Sequence, residues 1–240
     1  MSFLFVLAVG LVAGTISGIV GTGSSIMLMP VLVYQYGPKE AVPIMAVAAV
    51  MANLSRILAW WREVDWRACA AYSITGIPAA ALGARTLLVL PSHAVDISIG
   101  LFLIAMVPVR HWLARHDLKI TLWHLALGGA IIGYLTGIVV STGPLSVPLF
   151  LFYGLTKGAF LATEAASSLG LYVSKSVTFQ RFGALTADIA LKGLVAGSSL
   201  MFGAFIAKRF VLKLDADVFR LVMDGIMLAA GLSMFWNALV

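Results

Sequence analysis

Ten apolar runs, separated by single charges, glycines and prolines, take up nearly the whole chain: about 2–20, 25–36, 39–60, 67–89, 93–112, 121–140, 145–155, 157–179, 186–208 and 215–239. A helix rises 1.5 Å per residue, so about 20 such residues cover the roughly 30 Å of hydrocarbon in a bilayer. A water-soluble body of this size cannot hide that much apolar surface: 61% of the residues are hydrophobic and only 11% charged, against roughly 25% charged in a soluble domain. The pattern predicts an all-α polytopic membrane protein forming one transmembrane domain over residues 1–240, with no room for an appended soluble domain. The runs 25–36 and 145–155 are too short to cross. At about 17 Å they suit half-helices that begin inside the membrane.

The net charge of +6 is spread singly between the apolar runs rather than gathered on one face. That excludes a nucleic-acid surface and points to topology signals and anion handling. Cys69 is the sole cysteine, so no internal disulfide is available. The first 20 residues lack the basic flank and small-residue cleavage site of a secretory signal, and are read as part of the mature fold.

Features recur at a constant offset. "GTISGIVGTGSSIMLMPVLVYQYGPKEA" (14–41) lies over "GYLTGIVVSTGPLSVPLFLFYGLTKGA" (133–159), pairing Gly14 with Gly133, Gly18 with Gly137, Pro30 with Pro148 and Lys39 with Lys157. Arg56 then falls within a residue of Lys175, Arg62 on Arg181 and Gly83 on Gly203. The expected halves are about 1–112 and 121–240, joined by 113–120. Each holds five membrane-entering segments, an odd number, which would invert the second half relative to the first. The basic connection Arg110 to Lys119, the loop Arg62 to Arg67 and the cluster Lys208, Arg209 and Lys213 would then be cytoplasmic, with both termini outside. Arg181, on the outer side, counts against this orientation.

Each half is interrupted at one place. Gly21 to Ser25 and Val140 to Pro144 combine helix-poor residues with a following short helix, whose first N–H groups would lack intrahelical partners. Such N–H groups, at the positive end of a helix dipole, suit an anion. Gly21, Gly23 and Gly143 let a ligand approach the backbone, and Thr22, Ser24, Ser25, Ser141 and Thr142 offer hydroxyl donors. Irregular backbone at membrane depth survives only inside protein or along a polar cavity, so the two breaks are expected to meet near the midplane, each as a broken helix or helical hairpin. Gly14, Gly18, Gly133 and Gly137 read instead as helix-packing glycines.

With "GTISGIVGTGSSIMLMPVLV", "LTGIVVSTGPLSVPLFLF" and "REVDW" (62–66) in place, the chain resembles the TauE/SafE family of sulfite and organosulfonate exporters over essentially its whole length. "STGP" departs from that pattern where a second glycine is typical. The resemblance implies a bacterial inner-membrane, multi-pass protein of two related halves that handles a small inorganic or organic sulfur oxyanion.

Ionisable residues inside spans are functional candidates, because inserting one costs at least about 2.5 kcal/mol. Arg56 and Lys175 either face one central cavity, complementing an oxyanion, or snorkel from near their helix ends. Glu164, eight residues into its span, balances charge, carries a coupling proton, or pairs structurally with a lysine such as Lys192. Asn53, which aligns within a residue of Tyr172, and Ser167 with Ser168 are candidate polar lining or interhelical hydrogen-bonding residues. Asp188 with Lys192 and Arg220 with Asp224 are i,i+4 pairs. Trp60, Trp61, Trp66, Trp112 and Trp123 read as interfacial anchors.

The expected function is secondary transport, the export of a sulfur-containing anion by alternating access. No Walker-type loop is present to drive it with ATP. A passive anion channel would use the same donors. An intramembrane hydrolase built on Ser24 or Ser141 lacks a base within reach, since His93, His111, His116 and His124 lie in or beside connections. No cofactor and no metal site is expected. The partners expected are the anion and the lipid bilayer, with a homodimer left open as the assembled form.

Overall fold

The computed structural model describes residues 3–20, 24–115, 119–139 and 142–210, together with residues 225, 228 and 232. Among these the chain is all helical: α1 Phe3–Val20, α2 Ser24–Tyr36, α3 Pro38–Trp60, a 3-10 turn Trp61–Glu63, α4 Trp66–Val89, α5 Ser92–Ala114, α6 Leu122–Ile138, α7 Gly143–Phe152, α8 Lys157–Arg181 and α9 Ala187–Phe210. Nine of the ten expected segments appear within a few residues of their expected ends. The tenth, 215–239, and the Arg220 with Asp224 pair lie almost wholly outside the described residues.

The boundaries follow local chemistry. Gly37 (φ 75°) and Gly154 (φ 102°) follow the short helices α2 and α7 in a left-handed conformation that side chains disfavour. Gly37 N–H donates to the Val33 carbonyl, and Pro38 then starts α3 at a position that needs no N–H. Asp65 caps α4 by accepting from the N–H groups of Arg67 and Ala68 at 2.9 and 3.1 Å. Its own N–H donates to Thr163 Oγ1 at 2.9 Å, which ties the start of α4 to α8.

The helices α3 and α8 pack against each other antiparallel. Gly158, at the start of α8, sits on Trp60 and Glu63 at the end of α3. Around this pair the same arrangement occurs twice: α9 packs on α3 and is backed by α1, while α4 packs on α8 and is backed by α6. Both backing contacts are made backbone to backbone. A Cβ on Gly14 would overlap the Leu200 carbonyl, and one on Gly203 the Leu11 carbonyl. In the other pair, Gly83 meets Tyr134, Gly133 meets Gly76, and Gly137 meets Ala80 and Ala84. The repeated glycines are therefore packing residues, as small-xxx-small spacing in membrane helices implies.

The outer faces are apolar. Ile74, Leu82, Ile131, Leu191 and Phe202 are exposed, whereas Arg56, Glu164 and Lys175 are buried. That distribution is the reverse of a soluble domain's and fits lipid as solvent. By length and composition 39–63 and 187–207 are long and apolar enough to cross a membrane, and 5–18 and 122–138 are apolar but shorter. Trp61, Trp66, Trp112 and Trp123 are exposed near helix ends, where amphipathic rings anchor.

Because the crossings are backbone contacts, a methyl group added at one should cost at least the roughly 1–3 kcal/mol typical of overpacking. Gly133→Ala is expected to lower the unfolding midpoint in detergent clearly. Gly128→Ala, whose Cβ meets only the movable Leu149 side chain, should cost less. Equal midpoints for the two variants would contradict the α4–α6 packing.

Candidate functional site

The polar centre of the molecule joins α3, α7 and α8. Four residues before its end, α3 turns Arg56 inward, and α8 presents Glu164 from its third turn. Their side chains meet as Nη1 to Oε2 at 2.9 Å, with only 10% and 4% of each exposed. Arg56 Nη2 also donates to Asn53 Oδ1, one turn back on α3, while Asn53 Nδ2 donates to the Ala49 carbonyl at 2.8 Å. The other Glu164 oxygen, Oε1, accepts from Ser168 Oγ at 2.8 Å and from Ser146 Oγ at 3.0 Å. Glu164 and Ser168 share a face of α8 by their i,i+4 spacing, and Ser146 arrives from the first turns of α7.

This cluster is the partner of Glu164. The alternative partner, Lys192, instead holds Asp188 at 2.6 Å and Glu40 at 3.6 Å on the side of α9. Arg56 does not snorkel, and neither does Lys175, which is 1% exposed. Two charges this far out of water are held only when their hydrogen-bonding capacity is met. Removing one partner strands the other.

Lys175 lies 11 residues beyond Glu164 on α8, about 16 Å of helix rise. Its Nζ donates to the carbonyls of Thr136 at 2.7 Å and Val139 at 2.9 Å. These are among the last carbonyls of α6, which have no further turn to accept from, and a cation is favourable at that end of the dipole. Arg56, at the level of Glu164, and Lys175 thus act at two separate levels of α8 rather than in one shared clasp.

The end of α6 and the start of α7 are tied to each other. Thr142, buried, begins α7: its carbonyl accepts from Leu145 and Ser146 N–H at 2.9 and 3.0 Å, and Thr136 and Thr142 hydroxyls bond each other. Pro144 has no N–H, so α7 offers an anion fewer free donors than four exposed amides would. Gly143 starts α7 and is half-buried. Ser24 and Ser25 are buried at the start of α2. Gly21, Thr22, Gly23 and Ser141 lie outside the described residues. Ser167 donates to the Thr163 carbonyl of its own helix at 2.7 Å, so its neighbour Ser168 is the residue that reaches the ion pair.

A cavity of about 270 Å³ opens among Lys39, Glu40, Pro43, Leu87, Leu88 and Phe179. Fully buried Phe179 lines it and holds Lys175 Nζ 5.6 Å from its ring centroid. One aromatic side chain therefore touches both the cavity and the cation at the α6 break.

Three residues that take part went unsingled in the sequence: Ser146, Thr136 and Val139, the last as a carbonyl acceptor. Ser146, two residues past the Gly-Pro of the second break, carried a positional signal. Backbone acceptors carry none.

Breaking the buried pair should cost about 3–5 kcal/mol. Arg56→Met and Glu164→Gln are each expected to fall in that range in unfolding measurements in detergent. The double variant should lose less than the sum of the two. Strict additivity would show that the pair is not coupled.

Comparison with known proteins points to membrane transport. A family model described as "Sulfite exporter TauE/SafE" matches residues 6–234. The chain is 29% identical over 191 residues to the "Probable membrane transporter protein y4hK" of Sinorhizobium fredii (strain NBRC 101917 / NGR234), covering 72% of this chain and 73% of that protein. It is 25% identical over 115 residues to the "Probable membrane transporter protein YunE" of Bacillus subtilis (strain 168), covering 43% and 42%. No solved structure matches. The all-helical fold, its apolar outer faces and a match spanning nearly the whole chain make this protein a membrane transporter belonging to the sulfite exporter TauE/SafE family.

Proposed function

We propose that the protein is a secondary, multi-pass transporter of the bacterial inner membrane that exports a small sulfur-containing anion, sulfite or an organosulfonate, by alternating access. The observation that carries this reading is the Arg56–Glu164 pair: a guanidinium inside the molecule, already neutralised by an internal carboxylate. An oxyanion with two or more oxygens can take Arg56 by the same forked donation that a carboxylate uses. Glu164 then either gains a proton or finds other donors, because two anions cannot share one cation without cost. Ligand arrival is thereby linked to the contact between α3 and α8.

The sequence repeat supports an inverted arrangement of two halves, with α1 and α6, α3 and α8, and α9 and α4 as counterparts. The doubled packing around α3 and α8 supports the same reading. On this arrangement the gaps after α1 and α6 are symmetry-related helix breaks at membrane depth. Their hydroxyls, from Thr22, Ser24, Ser25, Ser141 and Thr142, with the Gly21, Gly23 and Gly143 backbone, add to the anion's coordination, and Asn53 orients Arg56. Lys175 holds the end of α6 with two of its N–H groups and supplies positive potential along the anion's path. Motion of the α1/α9 and α4/α6 pairs about the central helices would expose the site to either face.

Uptake of labelled sulfite, thiosulfate, sulfate and sulfoacetate into proteoliposomes tests this. Wild type is expected to carry one of them saturably and with counter-substrate exchange, and Arg56→Ala to reduce that flux by at least tenfold, on the order of one charge-assisted contact. Undiminished flux in Arg56→Ala would remove the pair from the pathway. Single-channel currents in wild type would replace the carrier by a channel.

A further inference from the structure

Tyr72 is a residue that neither the sequence motifs nor the family assignment singles out. It is fully buried on α4, with its ring centroid 5.1 Å from that of Phe150 on α7. Around it lie Ala68, Leu125, Phe160 and Leu171, an apolar setting that a phenylalanine would fill equally well. Its hydroxyl has no hydrogen-bond partner among the described residues. A buried hydroxyl left unsatisfied is destabilising, so its presence calls for a partner in some other state of the protein.

The surroundings indicate which partner. Phe150 stands one turn after Ser146 on α7, hence on the same face, and Ser146 donates to Glu164 Oε1. Gly170 of α8 faces Ser73 and Ile77 of α4, so Tyr72 lies level with the turn of α8 that carries Ser168, the second donor to Glu164 Oε1. In the present state Glu164 already has Arg56 on Oε2 and two serines on Oε1. When an anion draws Arg56 away, Oε2 loses the guanidinium that donates to it, and a neutral phenol is a donor suited to replace it.

We propose that Tyr72 is a positioning residue: its hydroxyl receives the Glu164 carboxylate when a sulfur oxyanion occupies Arg56. This rests on the transport reading given above. Arg56 changes partner from Glu164 to the anion, Glu164 changes partner from Arg56 to Tyr72, and no covalent bond is made or broken. The anion-bound state gains a hydrogen bond that the resting state does not have.

Tyr72→Phe separates this role from packing. The probe is whichever of the four labelled anions wild type carries in proteoliposomes. The half-saturating concentration is expected to rise about tenfold, as for one hydrogen bond to a charged group. The melting temperature without anion should be unchanged or higher, and the anion-induced rise in melting temperature should shrink. A purely structural Tyr72 would give the opposite pattern, a lower melting temperature and an unchanged half-saturation. Unchanged half-saturation in Tyr72→Phe beside a lost flux in Arg56→Ala overturns the role of Tyr72 and leaves that of Arg56. Unchanged transport in both, or transport of none of the four anions by wild type, overturns both.

Discussion

A guanidinium and a carboxylate 2.9 Å apart, nearly sealed from solvent, join the two central helices of this protein. Much of the surrounding architecture is explained by what that contact needs. Desolvating both charges is tolerable only with further hydrogen bonds to the pair, and Asn53 supplies one to Arg56 Nη2 while Ser146 and Ser168 supply two to Glu164 Oε1. Ser146 reaches Glu164 from α7, the short helix that follows α6 and packs beside α8. Lys175, farther along α8, takes the Thr136 and Val139 carbonyls at the end of α6.

The outer helices serve this centre by standing close to it. Glycines in α1, α4, α6 and α9 bring backbone against backbone, leaving α3 and α8 enclosed while the bulky side chains of the outer helices point away. Backbone crossings of this kind fix position without directional bonds. A sliding or rocking motion would therefore strain few specific contacts at the periphery. At the centre it would have to break the ion pair.

The sequence disclosed the helices well, because lipid imposes long apolar runs and because glycine, proline and single charges mark their ends. It also disclosed the packing glycines through their constant offset, and the three buried ionisable residues, since each stands out against an apolar background. It did not disclose who pairs with whom. Arg56 and Glu164 are 108 residues apart, and nothing local to either distinguishes that pairing from Glu164 with Lys192. The role of Lys175 was hidden for a different reason: its acceptors are main-chain carbonyls, which every residue possesses. Ser167 and Ser168 were indistinguishable by type, although i,i+4 spacing from Glu164 favours Ser168. Tyr72 read as one more aromatic core residue, and only its unsatisfied hydroxyl sets it apart.

A transported anion that takes Arg56 would separate it from Glu164, and the carboxylate itself can report the separation. The chain contains three glutamates, Glu40, Glu63 and Glu164, so infrared difference spectra of protein carrying 13C-labelled glutamate resolve few bands. Addition of the transported anion to reconstituted protein should shift a label-sensitive carboxyl band in wild type, and that shift should be absent in Glu164→Gln. Saturable anion binding with no label-sensitive change in wild type would contradict the account.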